Sequence, residues 1–190
     1  MKEFGRALRR WRRLRGVKQG HVAELFGVTQ ATLSRWERGY HAIPESAQRR
    51  LSHLLMAPLD SAADAGLRRL VESSRLSVHL ICDLTHRLLA ASPARLGAWR
   101  TEAAELRGTS LWRFATAEIR EAECRLGDLG WYDDGAAELR FWTGANGDPI
   151  VPIEPGILVW ERMQLSDGTL ARLVTSISAR RSNPGSTAVC

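Results

Sequence analysis

Apolar residues at Phe4, Leu8, Trp11 and Leu14 recur at spacings of 4, 3 and 3, which predicts a helix over residues 4–14 ended by Gly16. A second helix is expected from about Lys18 to Phe26, burying Val22, Ala23 and Leu25 or Phe26, with Gly27 suited to a left-handed turn. Thr29 is a natural N-cap for a third helix, Gln30 to Arg38, whose Leu33 and Trp36 face inward and which Gly39 closes. Pro44 opens a fourth helix with Glu45 in its first turn, Ala47, Leu51, Leu54 and Leu55 on its buried side and Pro58 at its end. Small and polar residues from Asp60 to Gly66 read as a linker, continued by a short helix from about Leu67 to Ser74 that could join two subunits.

The pattern changes period at Leu76. Leu76–Cys82 reads as a strand with Arg87–Ala91 as its hairpin partner, and residues 93–130 are helical, ending in a long helix from about Ala115 to Leu129 with Ile119, Ala122 and Leu126 on one face. Three strands follow at about Glu138–Thr143, Gly156–Leu165 and Thr169–Ser178, the last two joined by a Ser166-Asp167-Gly168 turn. The expected fold class is an all-α bundle followed by an α+β domain, a five-stranded antiparallel sheet with helices on one face. The expected division is 1–57 helical domain, 58–75 linker and connecting helix, 76–179 sheet domain and 180–190 flexible tail.

Charge sharpens this division. The 190 residues carry a formal charge of +6, yet residues 1–55 hold 12 Lys/Arg against 4 Asp/Glu and residues 56–190 hold 15 against 17. A basic module joined to a near-neutral one points to a polyanion partner plus a second task. No apolar run of about 18 residues occurs, so no membrane partner is expected. The charged Met1-Lys2-Glu3-Phe4 start lacks the apolar stretch of a secretory signal, and Cys82, Cys124 and Cys190 form neither a disulfide framework nor a zinc site. A reducing, cytoplasmic, nucleoid-associated setting is expected.

Residues Gln19 to Trp36 meet several constraints at once. Ala23 is small where two helices pack closely, and Gly27 makes the turn four residues later. Val22, Phe26, Val28, Leu33 and Trp36 would hold the helices at a fixed angle, leaving Gln30, Ala31, Thr32, Ser34 and Arg35 free to face base edges. Arg35 can make a bidentate contact to guanine, Gln30 can do so to adenine, and Ala31 or Thr32 can touch a thymine methyl. Arg9, Arg13 and Arg38 can hold phosphates.

Gly5 to Leu55 resembles the Cro/phage-repressor (XRE) helix-turn-helix family. The matching stretches are Leu8-Arg9-Arg10-Trp11-Arg12, Gln19 to Gly27, Thr29 to Glu37, then Gly39, Ile43 and Pro44. The resemblance implies a dimer on a two-fold symmetric double-stranded DNA operator, with Gln19 and Thr29 on phosphates, Gln30, Ala31 and Arg35 toward bases, and Arg12 paired structurally with Glu37. Gly20 departs from the helix former usual there and costs about 1 kcal/mol of local helix stability.

Residues 66–178 resemble a PAS domain through Leu80-Ile81-Cys82-Asp83, Arg87 to Ala94, Glu105 to Trp112 and the hairpin from Leu165 to Thr169. The resemblance implies a sheet with helices on one side, used to dimerise and to sense a ligand, redox state or partner. It does not name the ligand. No cofactor or metal is expected. The helix Ala115–Leu129 has no His, the segment between Trp99 and Phe114 has no Cys for flavin chemistry, and His79 and Cys82, three apart on a strand, point to opposite faces. Trp112, Cys124, Trp142 and Trp160 are candidate pocket residues, although tryptophans at this density also serve as ordinary core packing.

No catalytic set is identifiable, since Gly144-Ala145-Asn146-Gly147 lies in a turn and Asp133-Asp134 precedes Gly135 as a turn signal. The leading reading is therefore a bacterial one-component transcriptional regulator without enzyme activity. One alternative is a DNA-binding protein whose second half only dimerises and docks a protein partner. The other is an enzyme tethered to DNA.

Overall fold

The computed structural model describes residues 2–55, 61–133 and 137–178. The Pro58 helix stop, the Asp134-Gly135 turn signal and the tail 180–190 lie outside the described residues. Four helices form the first unit: α1 Lys2–Leu14, α2 Gln19–Phe26, α3 Gln30–Arg38 and α4 Glu45–Leu55. A connecting helix α5, Ala62–Glu72, leads to β1 Val78–Cys82 and β2 Leu88–Ala91. Helices α6 Pro93–Ala98, α7 Ala103–Leu106 and α8 Ala117–Arg125 follow, with a 3₁₀ turn at Leu111–Phe114, and β3 Glu138–Thr143, β4 Gly156–Gln164 and β5 Leu170–Ser178 complete the chain.

The five strands make one antiparallel sheet in the order β2-β1-β5-β4-β3. This is the α+β architecture expected from the alternation of strands and helices. Two elements differ from expectation. Helix α5 begins at Ala62 and not Leu67, because Ser61 caps it by accepting from the Asp64 amide at 3.0 Å and Ala62-Ala63 are strong helix formers. Helix α8 is shorter than Ala115–Leu129: Thr116 caps it at one end, and Gly127 and Gly130, the latter at φ +67°, favour turns beyond Arg125.

Both faces of the sheet are covered at β1, as its five buried residues require. On the inner face, Ile81, Leu158, Trp160 and Val174 pack against Trp99, Phe114, Ala122 and Leu126 of the intervening helices. On the outer face, Leu80, Cys82 and Ala171 share a core with Val71 of α5 and with Ala7, Leu51 and Leu55 of the four-helix unit. The first unit is thus seated on the sheet. Cys82 Sγ donates to the Leu55 carbonyl at 3.4 Å, Arg87 donates to Ser52 Oγ at 3.2 Å, and Asp64 accepts from the Ser166 amide at 3.1 Å.

Candidate nucleic-acid interface and interior cavity

Helices α2 and α3 are joined by Gly27 at φ +63°, whose amide returns to Glu24 and so ends α2. Thr29 caps α3 through its Oγ1, which accepts from the Thr32 amide at 3.1 Å. Val22, Ala23, Phe26, Leu33 and Trp36 are buried between the two helices, and the Phe26 and Trp36 rings meet edge to face at 6.3 Å. Helix α1 crosses behind α3 at Gly5, where a Cβ would stand 2.0 Å from the Trp36 carbonyl oxygen. An ion pair locks the crossing: Arg12 donates to both carboxylate oxygens of Glu37, at 2.7 and 3.0 Å, and Gln19 Nε2 donates to Glu37 at 2.9 Å. Burial would raise the Glu37 pKa, but the bonds from Arg12 and Gln19 outweigh it and hold the carboxyl below its usual value.

The outward side of this assembly is polar and open. Gln30, Ala31, Arg35 and Arg38 are exposed on α3, Thr32 and Ser34 are half-buried, and Arg9 and Arg13 are exposed on α1. Gln30 Nε2 reaches Gln19 Oε1 at 3.4 Å, so the first turns of α2 and α3 meet there. Apolar residues packed behind and the cap in front fix the backbone from which these side chains project.

The second unit encloses a cavity of about 80 Å³ between the sheet and the helices, with Trp99, Trp112, Phe114, Leu158 and Trp160 among its walls. Polar groups also reach it: His79, His86, Arg95, Arg172 and Ser176. Arg172 is fully buried on β5 and donates to Asp83 at 2.7 Å and to Glu123 at 2.7 Å. Its guanidinium lies 4.2 Å over the Trp160 ring and 5.2 Å over Trp131. Glu123 on α8 joins three elements, since its other oxygen accepts from Arg10 of α1 at 2.8 Å and lies 3.4 Å from His86 Nε2. Burial would raise the Glu123 pKa, but Arg172, His86 and Arg10 together hold it far below the carboxylate range. His86 carries φ +55°, a strained value for a residue with a side chain, and its ring stacks on Trp112 at 4.7 Å. A continuous charged path therefore runs from the cavity wall to the first helix.

Residues 3–65 match the family model described as "Helix-turn-helix domain". This region is a helix-turn-helix domain. The chain has similarity to a number of solved structures, among them the following three. One is the RsLOV d2 variant, at 17% identity and TM-score 0.43 over 66% of this chain and 71% of that one. Another is the Cronobacter turicensis RpfR quorum-sensing receptor PAS domain in complex with C12:0, at 10% identity and TM-score 0.40 over 57% of this chain and 99% of that one. The third is a domain of a sensory box sensor histidine kinase/response regulator from Geobacter sulfurreducens, at 17% identity and TM-score 0.35 over 63% of this chain and 100% of that one. No curated protein matches the chain.

The helix-turn-helix domain gathers Gln19, Thr29, Gln30, Ala31, Thr32, Ser34 and Arg35 at or beside one outward face, with Arg38 one turn further on. Of the candidate pocket residues, Trp112 and Trp160 do line the cavity. Trp142 and Cys124 do not, and the expectation is corrected. Trp142 alternates with Phe141 on β3; Phe141 packs inward, so Trp142 points out and is 53% exposed. Cys124 follows the buried Glu123 on α8 and is exposed at the cleft beside Arg6 and Arg10. Sequence reasoning missed Asp83, Glu123 and Arg172. Their only local signal is an arginine between Ala171 and Leu173 in an otherwise apolar stretch of β5. Among the described residues, no group of three or more His, Cys, Asp or Glu could hold a metal, and no helix is long and apolar enough to cross a membrane.

Proposed function

We propose that this chain is a sequence-specific DNA-binding transcriptional regulator that works in the bacterial cytoplasm as a homodimer on a two-fold symmetric operator, its second domain dimerising and sensing a signal. One observation carries the reading: a capped, exposed α3 with Gln30, Ala31 and Arg35 on a rigid helix-turn-helix, flanked by the exposed Arg9 and Arg13. Arg35 and Gln30 read bases; the exposed Arg9 and Arg13 of α1 bind phosphates. Arg35→Ala is expected to lose about 1–3 kcal/mol on operator DNA and to relax preference at one base pair. Arg13→Ala should instead weaken operator and scrambled DNA alike and reduce the salt slope by about 1. Titrations of both variants across a salt series check this. Full discrimination by Arg35→Ala would exclude the assigned reading face.

Dimerisation is supported by an apolar row on the outer sheet face. Trp142, Ile157 and Ile177 pair in register across β3, β4 and β5 and are 53%, 40% and 42% exposed. The helix-turn-helix domain leaves this end of the sheet uncovered, and a second copy seated there would bury it. Ile157→Lys is expected to shift the sedimenting species from dimer to monomer and to weaken operator binding, with far-UV circular dichroism unchanged. A variant that stays dimeric would place the interface elsewhere.

A further inference from the structure

Each charged group on the cavity wall has its counter-charge except Arg95. Arg172 is matched by Asp83 and Glu123, and His86 lies against Glu123. Arg95, on α6, is 93% shielded from solvent, at 7% exposure. One of its terminal nitrogens donates to the Ser77 carbonyl at 3.1 Å and to Ser176 Oγ. Its Nε has no partner, and no carboxylate among the described residues pairs with it. Beside it His79, 9% exposed, has an unpartnered Nδ1. Burial pushes Arg95 down to about 10, which leaves it cationic at neutral pH. Burial and the Arg95 charge together keep His79 neutral.

A buried cation with an open donor is costly unless an anion meets it. The remaining wall sets what that anion can carry. Trp99, Trp112, Phe114 and Trp160 supply aromatic faces, and the cavity of about 80 Å³ is roughly half the size of an engineered cavity that admits benzene. A doubly charged or strongly hydrated anion has no second uncompensated cation to receive it, because Asp83 and Glu123 already match the charge of Arg172.

We propose that the cavity is a binding site for a small monocarboxylate, its carboxylate accepting from Arg95 Nε and from the Nδ1–H tautomer of His79, and its short apolar body lying among the aromatic residues. Such a molecule would be the signal of the regulator proposed above. Its binding is read without DNA, so this site and the DNA-binding reading fail independently.

The full-length protein is titrated with acetate and propionate, and in parallel with acetamide and propionamide, by calorimetry and tryptophan fluorescence. The acids are expected to bind saturably and about tenfold or more tighter than the amides of the same shape. Formate, which keeps the head and loses the body, should bind more weakly than either acid. Arg95→Met should erase the preference for acid over amide, while Arg95→Lys should retain part of it. The comparison of acid and amide on the unaltered protein stands even where a variant fails to fold. Equal binding of acids and amides, or no saturable signal from the acids up to about 10 mM, would overturn the proposal.

Discussion

Glu123→Ala is expected to cost about 3–5 kcal/mol of stability, the scale seen when one partner is removed from a buried charge cluster. The geometry explains the size. Glu123 is buried and compensates Arg172 at 2.7 Å, Arg10 at 2.8 Å and His86 at 3.4 Å. Its loss leaves Arg172, fully buried, with Asp83 as its remaining carboxylate. Urea unfolding should show a lower midpoint with an unchanged slope. Glu123→Gln, which keeps shape and loses charge, should fall between the two.

The pH dependence gives a second readout with a definite sign. Glu123 is held well below the value of about 4.3 that it takes unfolded. Its contribution is therefore complete above that pH and is lost as the pH falls below it, where the unfolded chain binds the proton and the folded chain does not. The stability gap between wild type and Glu123→Gln should close as the pH is lowered through about 4. A gap that stays constant from pH 7 to pH 3 would mean that Glu123 is not the anion of this cluster.

What sequence could and could not reveal follows from how local each cause is. Strands β3, β4 and β5 were legible because alternation and the Ser166-Asp167-Gly168 turn are written within a few residues. Helices α2 and α3 were legible because a small residue, a turn glycine and a cap all fall within one short stretch. Adjacent Phe141 and Trp142 must face opposite ways on a strand, but alternation alone does not say which faces the cavity; pairing with Leu158 and Ile157 decides it. The Arg10–Glu123 bond joins residues 113 apart, and nothing near either position marks it. Among the arginines of α1, the family resemblance set Arg12 apart as the partner of Glu37, but nothing near Arg10 marked it as the one that reaches the second domain. Tertiary structure separates them: Arg9 and Arg13 are exposed, Arg12 is in the clamp, and Arg10 binds the second domain.

The same distinction between local and tertiary causes predicts opposite outcomes for one substitution at two glycines. Alanine is favoured over glycine inside a helix by about 1 kcal/mol, so propensity alone would make Gly5→Ala and Gly20→Ala both stabilising. Gly20, near the start of α2, has nothing within 4 Å of the position its Cβ would take, and there the propensity gain should appear in full. At Gly5 the added carbon would sit 2.0 Å from the Trp36 carbonyl oxygen and 3.0 Å from its carbonyl carbon. Both are backbone atoms, so no side-chain rotation relieves the contact; α1 must move away from α3. Overpacking of this kind costs about 1–3 kcal/mol or more, which exceeds the gain. Each kcal/mol corresponds to about 2–4 °C in a chain of this length. Gly20→Ala is thus expected to melt a few degrees above wild type and Gly5→Ala several degrees below it. Because α3 carries Gln30 and Arg35, and the Arg12–Glu37 clamp spans the same crossing, Gly5→Ala should also weaken operator binding while Gly20→Ala leaves α3 in place. A Gly5→Ala protein as stable as wild type would show that the α1 and α3 backbones do not approach this closely at the crossing.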